Sequence, residues 1–336
     1  MSEMSGAEAI VRILEELGVD VVFGLCGDTS LPFYDALSRS KQLRHVLTRD
    51  ERCASFMADA YARLSGRVGV CEGPSGGGAT YILPGVAEAN GSSVPLVCLT
   101  SDIGVEDRGK GTLTEMDQAG LFAPISKRVF SPTTGGDLPQ LLRDAFREAT
   151  TGSLGACHMS LPLDVQNQSV DASDVHADDR FNRYPNDRLT PDPDQVKDVA
   201  RCLVNSRRPL LVAGAGALRS GAWEEVIALS HALGAPVATS ISGKGAIAET
   251  DAFSLGVIGS NGGLPWRHDL VRQADVIFYI GCGAGSVTTE KWTLPVPGST
   301  TVLQLDTDRD IIGRVYDVAA AIRSDASLGL AAVLEK

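Results

Sequence analysis

The chain has 336 residues, a formal net charge of −12 and 43% hydrophobic content, a length that suggests two domains rather than one core. The acidic surplus repels phosphate backbones and anionic lipids, excluding nucleic acid or a membrane surface as main partner, and no apolar run reaches the roughly 18 residues of a bilayer span. The opening M-S-E-M-S-G lacks an export pattern, and seven scattered cysteines without C-x-x-C spacing read as reduced core residues, so a cytoplasmic location is expected.

In chain order, residues 6–17 place Ile10, Ile13, Leu14 and Leu17 on one helical face, closed by Gly18. Val21–Phe23 reads as a short strand, followed by the loop G-L-C-G-D-T-S. A helix is expected over 31–37, a strand over 45–47, a helix over 51–65 closed by Gly66, a strand over 68–71 and a helix over 78–90. An apolar strand at 95–100, a polar loop over 101–118, Val129-Phe130, a helix at 137–150 and a strand at 156–161 complete the first half. Such alternation predicts a parallel sheet covered on both faces.

Residues 166–192 are rich in Asp, Asn, Pro and Ser without periodicity and read as a linker. The alternation then restarts: a helix at 194–205, a strand at 210–213 ending in Gly214-Ala215-Gly216, and a helix at 221–233. Strands at 236–239, 275–280 and 301–306 and a helix at 326–335 follow. The expected fold is α/β: two doubly wound domains, 1–165 and 193–336, each with a mainly parallel six-stranded sheet flanked by helices.

Two stretches carry chemistry. Glu51 begins a helix, where Thr48-x-x-Glu51 fits a capping box and an acidic first turn suits the helix dipole. The turn G-P-S-G-G-G-A-T (73–80) lacks a P-loop lysine and the G-x-G-x-x-G spacing of a dinucleotide fold. By itself it is a tight turn that needs glycine for its backbone. The five histidines (45, 158, 176, 231, 268) have no metal spacing, and neither G-x-S-x-G nor H-E-x-x-H occurs.

Together, Arg49-Asp50-Glu51, Met57-Ala58-Asp59-Ala60-Tyr61-Ala62-Arg63 and the 73–80 turn resemble the pyrimidine-binding domain of thiamine-diphosphate (ThDP) enzymes. Acetolactate synthase and benzoylformate decarboxylase are the nearest in pattern. The resemblance implies that 1–165 is that domain and 193–336 the family's middle domain. It implies that Glu51 is the catalytic glutamate that hydrogen-bonds N1′ of the aminopyrimidine and promotes loss of the C2 proton, chemistry that suits a carboxyl in an apolar pocket. The turn matches the family's S-G-P-G-A-T-N, with Gly77 for the proline and Tyr81 for the asparagine.

Gly24 to Pro32 resembles the family's G-x-P-G loop, with Cys26 for the proline. Leu25, Cys26, Gly27, Glu51, Pro74, Gly78 and Tyr81 are thereby assigned to the cofactor. Asp28 falls where a substrate-facing serine stands in benzoylformate decarboxylase-like enzymes; it serves equally to stabilise a turn. Thr112 to Lys127 resembles the synthase's F-Q-E to P-I-T-K segment, with Thr114 for the glutamine, so Thr114 is the second substrate candidate. The middle domain's Gly281 to Val287 lacks the arginines and aspartate of flavin-binding relatives, and FAD is not expected.

The chain stops where the family's third domain would begin, and no G-D-G motif with its downstream asparagine is found. The resemblance therefore implies a split enzyme. A separate subunit would carry the diphosphate-binding domain and Mg²⁺, most simply as an α₂β₂ hetero-oligomer, while no metal ligand is assigned here. The expected reaction is decarboxylation or carboligation of a small-molecule 2-oxo acid. The alternatives are a 2-hydroxyacyl thioester lyase subunit, a truncated piece of a longer chain, and a non-catalytic regulatory or binding homologue.

Overall fold

The computed structural model describes residues 3–336, and these divide into two compact units, one ending at Asp187 and the other beginning at Arg188. No helix among the described residues is long and apolar enough to cross a membrane.

The first unit opens with β1 (Glu3–Ser5) and α1 (Gly6–Glu16). Ser5 and Glu8 close a capping box there: Glu8 N–H donates to Ser5 Oγ at 3.2 Å and Ser5 N–H to Glu8 Oε2 at 2.9 Å. Then come β2 (Val21–Gly24), α2 (Leu31–Arg39), β3 (Arg44–Leu47), α3 (Glu51–Ser65) and β4 (Gly69–Gly73). The small residues of α3 set its distance from the sheet. Ala54, Ala58 and Ala62 are fully buried, and a Cβ on Gly69 would lie 2.2 Å from the Ala58 carbonyl oxygen, so helix and strand backbones nearly touch.

After β4 the expected helix over 78–90 is two: α4 (Gly77–Tyr81) and α5 (Leu83–Gly91). Pro84 supplies no N–H to the carbonyl four residues back, so the chain restarts at Leu83. The unit continues with β5 (Leu96–Asp102), α6 (Gln118–Phe122), β6 (Arg128–Phe130), α7 (Asp137–Thr150) and β7 (Ala156–Pro162). It ends with α8 (Leu163–Asn167) and β8 (Ser169–Asp171), which pairs antiparallel with β1. Six strands form one parallel sheet in the order β3-β2-β4-β5-β7-β6, with an apolar cluster on each face.

The second unit runs α9 (Pro193–Val204), β9 (Pro209–Ala213), α10 (Ala215–Ser220), α11 (Trp223–Leu233) and β10 (Val237–Thr239). It continues through β11 (Ser254–Val257), α12 (Pro265–Gln273), β12 (Val276–Ile280), β13 (Thr301–Asp306), β14 (Val318–Arg323) and α13 (Ala326–Leu334). Its parallel sheet has the order β11-β10-β9-β12-β13-β14. The two strands that chain-order reading did not locate, β11 and β14, are its edges.

Candidate active site

In the first sheet, β3 lies on one side of β2 and β4 on the other, so the chain order reverses at β2. Parallel α/β sheets form their ligand crevice at such a reversal, outside the carboxyl ends of the strands. Gly24 and Glu72 are paired there, and the loop after β2 and the turn after β4 leave side by side.

The two connections are in backbone contact because they carry glycine. A Cβ on Gly27 would lie 2.4 Å from Pro74 Cβ, and one on Gly78 would lie 2.5 Å from Pro74 Cδ. A run of hydroxyls ties them to the end of β5 and to the loop that follows it. Thr29 Oγ1 donates to Ser75 Oγ at 3.0 Å and lies 2.8 Å from Ser101 Oγ, while Ser75 Oγ is 2.8 Å from Thr114 Oγ1. Gln166 secures the base of the loop by donating to the Thr29 carbonyl at 2.9 Å. Thr114 has φ +71°, a left-handed conformation that costs a β-branched residue free energy. Its methyl group would meet a Cβ on Gly76 at 2.6 Å.

Glu51 is the first residue of α3 and only 8% exposed. The expected capping box does not form. Asp50 caps the helix by accepting from Arg52 N–H at 2.9 Å, and Thr48 instead donates to the Gly24 carbonyl at 3.3 Å. The Glu51 carboxylate makes no hydrogen bond among the described residues. It lies over the glycine turn, with Oε1 3.2 Å and Cγ 3.5 Å from where Cβ atoms on Gly78 and Gly73 would stand. The residue is largely buried and its carboxylate has no protein partner, which leaves an acceptor at the helix start open toward the crevice.

The fold thus gathers Leu25, Cys26, Gly27, Glu51, Pro74 and Gly78 around one crevice, with Thr114 joined through Ser75. Leu25 is half-buried and Cys26 and Asp28 are exposed, Asp28 opening a short 3₁₀ turn. Tyr81 ends α4 with 58% exposure, and Phe56, Leu47 and Leu113 are also exposed apolar side chains of this unit. A cavity of about 350 Å³ opens beyond β5 and is lined by Asp102, Arg108, Glu115, Gln118, Ser131 and Ser160, among others. None of the residues chosen from sequence lines it. Burial raises the Asp102 carboxyl above its usual range, with Arg108 opposing from 3.3 Å.

Sequence reading passed over Thr29, Ser75, Ser101 and Glu72. Only Glu72 left a signal: a charged residue inside the otherwise apolar strand G-V-C-E-G.

In the second unit the Gly214–Gly216 turn packs on backbone. A Cβ on Gly214 would meet the Gly281 carbonyl oxygen at 2.2 Å, and one on Gly216 the Gly281 Cα at 2.7 Å. Asp306, at the end of β13, is pushed up to about 6 by burial while accepting from Asp308 N–H at 3.0 Å.

Residues 4–121 match the family described as thiamine pyrophosphate enzyme, N-terminal TPP binding domain, and residues 196–333 its central domain. A probable acetolactate synthase large subunit from Methanococcus aeolicus is 38% identical over 99% of this chain and 55% of its own length. The acetolactate synthase large subunit of Corynebacterium glutamicum is 35% identical over 99% of the chain and 52% of its own. The Escherichia coli isozyme 3 large subunit is 34% identical over 100% of the chain and 58% of its own. The chain therefore spans about half the length of the curated relatives it matches.

Proposed function

The chain belongs to the thiamine pyrophosphate enzyme family, and from that premise we propose that it supplies the pyrimidine-end half of an acetolactate synthase-like enzyme acting on 2-oxo acids. The observation that carries this reading is the Glu51 carboxylate, buried, without a protein partner, and poised over a glycine turn at the reversal point of the sheet. The residues present fit the ring end of the cofactor, because the glycines at 73 and 78 keep side chains out of the space beside Glu51.

When bound, ThDP supplies the electron sink for decarboxylating a 2-oxo acid and for joining the product to a second carbonyl. Glu51 Oε would share a proton with the ring nitrogen N1′, lending and recovering it during activation. Leu25, Cys26, Gly27, Pro74, Gly78 and Tyr81 would bind and orient the ring, and Asp28 and Thr114 would face substrate. The hydroxyl run from Ser101 to Thr114 would hold the three connections after β2, β4 and β5 in register, which is what positioning requires.

In this reading the diphosphate and Mg²⁺ are held by a separate subunit in an α₂β₂ assembly. No group of three or more His, Cys, Asp or Glu able to hold a metal occurs among the described residues. The exposed Phe56 and Tyr81, beside the half-buried Leu25, supply an apolar centre for such an interface. FAD has no part in the proposal, since Gly281 to Val287 carries neither arginine nor aspartate where the resemblance would need them.

The test is Glu51→Gln in the reconstituted enzyme. Exchange of the C2 proton of bound ThDP should slow by two to four orders of magnitude, about the worth of a general acid–base group. Exchange at the wild-type rate would remove Glu51 from the chemistry.

A further inference from the structure

Glu72 is fully buried, one residue before the end of β4, on a strand that is otherwise apolar or glycine. Its Oε2 accepts from the Tyr34 hydroxyl at 2.6 Å, and its Oε1 has no hydrogen-bond partner. Gly24, its register partner on β2, makes the contact sterically feasible: a Cβ there would lie 2.2 Å from the Tyr34 hydroxyl. Tyr34 stays protonated, since burial and Glu72 both push its hydroxyl far above the ordinary range, so it acts only as donor.

The titratable groups around Glu72 are Tyr34 from α2, Cys26 from the loop after β2 with Asp28 beside it, Cys71 and Cys98 on β4 and β5, Glu51 on α3, and His45 on β3, edge-on to Tyr34 with 4.8 Å between centroids. Burial lowers His45 and favours its neutral ring, and none of the others can be a cation. Burial first, and the Glu51 charge with it, hold the Glu72 carboxyl up at about 8 against the opposing pull of Tyr34 and Ser30. Full burial with a single donor and one unpartnered oxygen favours the neutral acid at pH 7.

We propose that Glu72 is a positioning residue for Glu51: fully buried beside Gly73, whose Cβ would stand 3.5 Å from Glu51 Cγ, and held by the Tyr34 hydroxyl, it keeps a second negative charge from the strand end. The proposal rests on the Glu51 reading above. An ionised Glu72 would be a buried carboxylate with one oxygen unpaired and no cation facing it, which strains the site. It would also tighten the hold of Glu51 on the proton that Glu51 must release, because like charges favour protonation.

The experiment has two arms. Infrared spectroscopy of the chain alone should show a protonated-carboxyl stretch at neutral pH that fades through about pH 8 and is missing in Glu72→Gln. Tyr34→Phe, which removes the donor that favours the ionised form, should move the fading to higher pH and serves if Glu72→Gln does not fold. A neutral-pH spectrum without that band overturns the proposal. In the second arm, C2-proton exchange of ThDP in the reconstituted enzyme should fall on the alkaline side, and Glu72→Gln should shift that fall upward by about one pH unit or more. Coincident alkaline limbs overturn the positioning role. The infrared arm needs no cofactor, so failure of the Glu51 reading would show separately, as wild-type exchange in Glu51→Gln.

Discussion

The imidazole of His158 lies flat on the ring of Phe122, with 3.7 Å between centroids and 2° between planes, and neither residue is exposed. Thr100 fixes the tautomer. Its hydroxyl donates to Gln118 Oε1 at 2.5 Å, so it accepts from His158 Nε2–H at 2.6 Å and leaves Nδ1 bare and unpartnered. A proton on Nδ1 would be a buried charge without an acceptor, and burial accordingly drops His158 to about 3 from 6.5.

The sign of the pH dependence follows. Between about 3 and 6.5 the unfolded chain carries a proton on this ring that the folded chain refuses. The stability is complete above 6.5 and is lost progressively as pH falls toward 3. In His158→Gln the unfolding free energy should depend on pH in that window with a slope smaller by one proton. Urea midpoints at several pH values check it; equal slopes would show that His158 is protonated in the fold.

Gly78 and Gly77 are adjacent helical glycines with opposite expectations. Gly78→Ala drives a methyl into the Pro74 ring at 2.5 Å and toward Glu51 Oε1 at 3.2 Å, whereas nothing lies within 4 Å of a Cβ on Gly77. The first substitution should cost about 1–3 kcal/mol, as overpacking does, and weaken ThDP binding by the assembled enzyme. Gly77→Ala should be neutral or stabilise by up to about 1 kcal/mol. Denaturant titration of both variants decides, and equal effects would refute the packing described for this turn.

Thr114 sits at φ +71° with its hydroxyl 2.8 Å from Ser75. Relief of left-handed strain is worth about 1–3 kcal/mol and the hydrogen bond about 1 kcal/mol. Thr114→Gly should therefore stabilise by about 1 kcal/mol net, whereas Thr114→Val keeps the strain, loses the bond and should destabilise by about 1 kcal/mol. Thermal midpoints of the pair test the order; Val above Gly would contradict it.

ThDP affinity separates the split-enzyme reading from a chain that binds and uses the cofactor alone. The ring end alone should bind weakly, at about millimolar Kd or −4 kcal/mol, and the net charge of −12 adds nothing for a diphosphate. Calorimetry with ThDP and Mg²⁺ on this chain should show no tighter binding until the diphosphate-binding subunit is added. Micromolar binding with 2-oxo acid decarboxylation by the chain alone would end the proposal.

The repeating strand–helix alternation in both halves was legible because central parallel strands are buried on both faces and carry unbroken apolar runs: Leu96 to Leu99 in β5 and Val276–Ile280 are buried throughout. The edges β11 and β14 are only partly buried, and Val318-Ala-Ala-Ala-Ile-Arg carries too little apolar contrast to stand out. Glu51 was legible from local motif, since the residues that mark it are neighbours in sequence. That it is free of capping duty was not, because Thr48 turns to Gly24 only when β2 and β3 pair in register, leaving the cap to Asp50. Likewise Thr29, Ser75, Ser101 and Thr114 are separated by tens of residues and meet only where the sheet reverses its order. Pattern along a chain records which face is buried; which side chains share a strand end depends on the order of strands in the sheet, and that is settled by long-range pairing alone.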